Sequence, residues 1–151
     1  VRPDPPPQGL RDLTPGEIVL GREVFEAAGR WERARVLHTA LPGRLGVVPF
    51  GRTIVFTAQP AMADFSLAPL SLQGWFVHEL THVWQASRGV ILPLAKLAAL
   101  GRGAYRLDLT RSRAFGRYNI EQQAEIVRRL FLARRGADPD RAALEAIWAS
   151  L

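Results

Sequence analysis

The sequence predicts a single α+β domain, on three observations. Short β-branched and apolar runs, bracketed by Gly and Pro, occupy the first third of the chain. Longer segments with helical apolar spacing and helix-start signals fill the rest. The length, 151 residues, suits one hydrophobic core. The composition, 48% hydrophobic and 23% charged, is that of an ordinary globular chain, so no collagenous or low-complexity class fits.

Residues 1–12 begin with a proline-rich polar stretch that cannot bury enough surface to order itself. They are expected to form a flexible arm ahead of a domain spanning 13–151. Thr14-Pro15-Gly16-Glu17 is a helix start: Thr14 as N-cap, Pro15 in the first turn, Glu17 closing a capping box. Gly29 is the expected stop. Ala34 to Thr39 and Thr53 to Ala58 read as strands, with Val47 to Phe50 as a third, and a small antiparallel sheet is the simplest arrangement. Gln59 to Ala68 reads as a loop. Pro69 to Ser87 reads as a long helix stopped near Gly89, and Leu94 to Leu100 as a second helical piece. Ala104 to Leu109 alternates and fits a strand or an extended linker. Asn119 to Arg135 carries Ile120, Ala124, Val127, Leu130 and Phe131 at helical spacing. A last helix is expected from Pro139 to Leu151, with Asp138 as N-cap.

The net charge is +6, almost all from arginine, since Lys96 is the only lysine. The arginines form no long run and no aromatic-interleaved strip, which argues against a nucleic-acid partner. No apolar run is long enough to span a membrane. The N-terminus lacks the apolar core of a signal peptide, so the cytoplasm is the default location. With no cysteine, disulfides and thiolate metal sites are excluded. Any metal site must use His, Asp and Glu.

Such a site is visible at His78-Glu79-Leu80-Thr81-His82. In a helix, positions i and i+4 share a face, so His78 and His82 project together and can put two imidazole nitrogens on one ion. Glu79 stands beside the first ligand, where a carboxylate can take a proton from water. Apart from Glu79, no charge lies between Gly74 and Gln85, so this is a buried helix. Buried imidazoles and a buried carboxylate are costly without a partner, and a metal supplies one. Two of the chain's three histidines fall in the motif.

Zinc hydrolases keep three protein ligands and leave one position for water. His38, the remaining histidine, sits in an expected strand far upstream. Glu121, in Asn119-Ile120-Glu121-Gln122-Gln123-Ala124-Glu125, is the better candidate for third ligand. The small Ala124 lets its helix come close to the first. Glu125, one turn on, can accept a hydrogen bond from a ligand histidine. Tyr118, Tyr105 and Arg117 are candidates to stabilise charge on a reacting carbonyl, Tyr118 foremost.

The stretch His-Glu-Leu-Thr-His-Val-Trp-Gln at 78–85, followed by Tyr-Asn-Ile-Glu-Gln-Gln-Ala-Glu-Ile-Val at 118–127, resembles the gluzincin group of metallopeptidases. More narrowly it is similar to small bacterial DUF4157-like and Vgr-related proteins. The resemblance covers roughly residues 14 to 135 and implies a zincin-like fold: a small sheet, an active-site helix, then a helix carrying the third ligand. It implies His78, His82 and Glu121 as ligands of one Zn2+ per chain and Glu79 as general base. The expected function is therefore zinc-dependent hydrolysis of peptide bonds in a peptide or protein substrate, through metal-activated water. The alternative is a non-catalytic zinc-containing module that binds a partner in a secretion system or larger assembly.

Overall fold

A computed structural model describes residues 8–26, 29–49, 51–58, 62–100, 103 and 105–151. Four short strands form one sheet: β1 (Gly9–Asp12), β2 (Arg35–His38), β3 (Gly46–Val47) and β4 (Thr53–Phe56), in the order β1-β2-β4-β3. Among the described residues five α-helices accompany it: α1 (Pro15–Phe25), α2 (Leu70–Ser87), α3 (Leu92–Ala99), α4 (Ile120–Ala133) and α5 (Arg141–Trp148). The architecture is α+β.

The sheet is mixed, which corrects the expectation of an antiparallel one. β1 pairs antiparallel with β2 and β3 antiparallel with β4, but β2 and β4 run parallel. The physical reason lies in which residues need burial. The parallel register sets Val36 opposite Ile54 and His38 opposite Phe56. All four are buried, so both strands present the same apolar face to the core. β3 takes the outer position, and β4 returns between it and β2. Thr57 anchors that crossover, its hydroxyl donating to Gly43 O and accepting from Leu45 N, while Gly43 supplies a φ of 115°.

Strand β1 occupies part of the stretch expected to be a flexible arm, whose residues 1–7 lie outside the described residues. Arg11 explains the order of β1. Both of its terminal nitrogens donate to Glu17, at 2.8 Å each. Glu17 is fully buried and also accepts from the backbone N–H groups of Thr14 and Phe65. One carboxylate thus closes the capping box of α1 and ties in β1 and the 3₁₀ turn at Phe65–Leu67. With four donors aimed at it, the buried charge is compensated.

Several boundaries differ from the sequence reading. α1 ends at Phe25, where Glu26 takes a φ of 52°, rather than at Gly29. β3 is Gly46–Val47, and Phe50, expected to end it, lies outside the described residues, as do Gln59 to Ala61 of the following loop. Residues 105–108 are irregular, leading into a 3₁₀ turn at Leu109–Arg111. α5 begins at Arg141, so its N-cap is Asp140 rather than the expected Asp138; the Asp140 carboxylate binds Arg129 and caps no helix N–H, while Asp138 accepts from Arg129 and from Asp140 N–H.

Helix α2 runs through the centre. On one side lie the sheet and an aromatic cluster in which Phe65 and Phe76 stack at 4.8 Å and Phe56 meets Phe65 at 4.7 Å. On the other side α4 packs along it. The two helices come close because small residues face the contact. Ala124 is fully buried, and a Cβ added at Gly74 would meet Leu132 at 3.1 Å. This close approach positions the functional side chains.

Candidate metal centre

From α2, His78 and His82 project on one face, their rings 5.1 Å apart and nearly perpendicular. From α4 comes Glu121, in the first turn, where the helix dipole favours a carboxylate. That turn is fixed by reciprocal capping: Asn119 accepts from Gln122 N–H, and Gln122 accepts from Asn119 N–H. Oε2 of Glu121 lies 3.5 Å from Nε2 of His78 and 3.2 Å from Nε2 of His82. All three residues are buried, and one donor atom from each lies within 4.8 Å of the others. Two imidazole nitrogens and one carboxylate oxygen form a set that could hold a metal ion and leave a position open.

Charge around these atoms is arranged for a cation. Burial opposes protonation of His78, but the Glu121 and Glu125 carboxylates beside it outweigh that cost, helped by the charge of Glu79, and push it up to about 9. Burial also opposes ionisation of Glu121, yet the two imidazoles and Lys96 hold its carboxyl well below the usual range. The lysine Nζ is 3.8 Å from Oε1 of Glu121.

Glu79 is 3% exposed, and among the described residues its Oε2 has no hydrogen-bond partner. Burial raises its pKa, against the opposing pull of His78, His82 and Lys96. An unpartnered carboxylate oxygen in a buried position is costly to keep and is available to a proton.

Glu125 lies one turn beyond Glu121, with Oε2 3.7 Å from Nδ1 of His78 and Oε1 bound to Arg128 at 2.7 Å. Glu125 and Arg128, with Arg44, Gly46 and Trp75, wall a groove of about 500 Å³ that reaches His78 and Glu79. Tyr105 also lines it, and the charges of Glu121 and Glu79 add to desolvation in raising the pKa of its hydroxyl. Tyr118 sits elsewhere, buried in the core, its hydroxyl accepting from Arg113 N–H at 3.2 Å. Arg117 is exposed on a 3₁₀ turn and is not part of the groove wall. His38 is remote in role as well as in sequence. It packs beside the Phe56–Phe65 pair, roughly parallel to both rings, and among the described residues neither ring nitrogen has a partner. Burial, with the charge of Arg11, lowers its pKa.

One functional residue was missed from the sequence. Gln85 Nε2 donates to Ile120 O at 3.0 Å and to Gln123 Oε1 at 2.9 Å. A carbonyl can only accept, so the amide nitrogen must face Ile120 and Oε1 must face His82. His82 Nδ1 therefore carries the proton and donates to Gln85 Oε1 at 2.9 Å, leaving Nε2 free toward Glu121. The available signal was spacing: Gln85 is polar, lies in an otherwise apolar run, and is three positions beyond His82, on the same helical face.

No family model matches the chain. It is 36% identical over 141 residues to the type VI secretion system spike protein VgrG2b of Pseudomonas aeruginosa, a match covering 86% of this chain but 14% of that protein. The chain thus spans about one-seventh of the length of that relative. Among solved structures, the effector domain of Pseudomonas aeruginosa VgrG2b superposes with a TM-score of 0.71 at 31% identity, covering 98% of this chain and 86% of that one.

Proposed function

The chain belongs to the family of the VgrG2b effector domain, and from that premise we propose that it is a secretion-associated effector whose chemistry is zinc-dependent peptide hydrolysis. The names of the relatives support the secretion-associated part. The hydrolytic part rests on one observation: a buried His78–His82–Glu121 group beside a buried carboxylate, Glu79, whose Oε2 has no partner. A structural site needs no such oxygen and ordinarily has four protein ligands. The nitrogen and oxygen donors suit zinc, and a helix–groove–helix arrangement of this kind suits a gluzincin within a zincin-like fold.

When bound, the ion would supply Lewis acidity to a carbonyl and to water. The rest is done by the chain. Gln85 holds His82 in the tautomer that leaves Nε2 available. Glu79 takes a proton from the attacking water at Oε2 and returns it to the leaving amine nitrogen, so the proton count closes. Burial raises its pKa, which makes it a better base toward the water. Tyr105, on the groove, rather than Tyr118, in the core, is the hydroxyl we assign to the carbonyl oxygen in the transition state. The strand suited to hold an extended substrate is β3, which ends the sheet and whose Gly46 lines the groove, whereas β4 lies inside the sheet between β2 and β3.

The test is a profile of peptides released from a protein mixture by the wild type and by Glu79→Gln. The variant should keep about one zinc per chain and lose about 10²–10⁴-fold in rate. Cleavage equal to wild type would remove Glu79 as base. A zinc-free wild type that zinc neither binds nor stabilises would remove the metal reading and leave the non-catalytic secretion-associated module.

A further inference from the structure

The sequence of α3, Leu-Pro-Leu-Ala-Lys-Leu-Ala-Ala, has one charge, and it faces inward. Lys96 points to Glu121, while Leu92 and Ala99 are buried. The outward face consists of Pro93, Leu94, Leu97 and Ala98, all exposed. Together with Ile91 and Leu100 at its ends, the leucines are 63% to 68% exposed. A surface helix in water ordinarily turns its apolar side in and its charge out. This one turns its only charge inward and is apolar on the outer face as well as the inner, and a contiguous apolar patch of this kind marks an interaction surface.

Beside the N-terminal end of α3 a second cavity opens, about 600 Å³, with a floor that includes Val83 and Leu92 and arginines at positions 30, 33 and 52. All three arginines are exposed. Among the described residues none of them pairs with a carboxylate, and Glu32, adjacent to Arg33, is turned to Arg22. An apolar ridge flanked by unpaired guanidinium groups matches an acyl layer flanked by phosphates. We propose that the face formed by α3 and this arginine-rimmed cavity docks on an anionic phospholipid bilayer, with Leu94 and Leu97 in the acyl boundary and Arg30, Arg33 and Arg52 on lipid phosphates. A second copy fits less well, because apposing two such ridges would bring like-charged arginine sets together. The net charge of +6 acts in the same direction as the local one.

The measurement is co-sedimentation of the full chain with phosphatidylglycerol-containing vesicles and with phosphatidylcholine vesicles. Binding should be selective for the anionic vesicles and fall steeply at about 0.5 M salt. Arg33→Ser/Arg52→Ser should weaken it by about 25-fold, about fivefold per arginine. Leu94→Ser/Leu97→Ser should weaken it by at least about tenfold. Both double variants should melt like wild type, since all four side chains are exposed. The chain has no cysteine, so Leu97→Cys carries a single polarity-sensitive label, whose emission should shift to the blue on anionic vesicles. Equal binding to both vesicle types would overturn the proposal. So would unchanged binding by the leucine variant, or a wild-type dimer in sedimentation velocity that the leucine variant dissociates.

Discussion

Gln85 shows how little of a site resides in its ligands. It holds His82 on one side and the first turn of α4 on the other. Gln85→Leu keeps the volume and deletes both contacts, so metal affinity should fall about 10- to 100-fold, read by competition with a chelator. An unchanged affinity would mean that packing alone orients the ring. At this scale the sequence was most informative where spacing determines direction. His78, Glu79 and His82 are fixed relative to one another by the helix that carries them. Tyr118 was not legible in the same way, because its direction depends on the 3₁₀ turn at Phe115–Arg117, which delivers its ring to the core and leaves Tyr105 on the groove.

Between elements, the approach of α4 to α2 decides whether Glu121 reaches the histidines. Asn119→Ala removes the reciprocal cap and should cost about 1 kcal/mol in thermal or urea unfolding. Ala124→Leu adds volume where the helices touch. It should cost about 1–3 kcal/mol and also lower metal affinity, because Glu121 is carried outward with the helix. A variant destabilised that much but binding metal like wild type would show that the overpacking is absorbed away from the first turn. The helices themselves were legible from apolar period and caps, as Thr14 with Glu17 shows. The sheet was less so. Parallel pairing of β2 with β4 depends on a chain reversal through β3, and short alternating runs carry no mark of their partner. β1 was hidden because its order comes from Arg11 meeting a carboxylate on α1, a contact between elements rather than a local pattern.

For the whole molecule, two buried histidines shifted in opposite directions make the stability of the metal-free protein depend on pH. His78, pushed up to about 9 from a value of about 6.5 in the unfolded chain, contributes stability that is complete below about 6.5 and is lost as pH rises through 9. His38 is shifted down, so the folded state prefers its neutral ring, and stability is lost as pH falls below about 6.5. Melting temperature measured across this range should therefore decline on both sides. His38→Phe should reduce the acid decline, and metal loading should abolish the alkaline one, because metal and proton compete for the same nitrogen. An alkaline decline of equal size with and without metal would show that His78 is not a ligand.

The contact between Gln85 and Ile120 joins residues 35 positions apart, and the three candidate metal donors straddle the same interval. In a chain without cysteine, an ion seated on those donors would be the nearest counterpart of a cross-link, closing a long loop at the centre of the fold. If the ion seats only after the two helices have met, its closure would act chiefly on the rate of opening. The loaded protein would then outlast the empty one under proteolysis by more than their difference in midpoint suggests, and a chelator would act slowly, at the pace at which α4 lifts from α2.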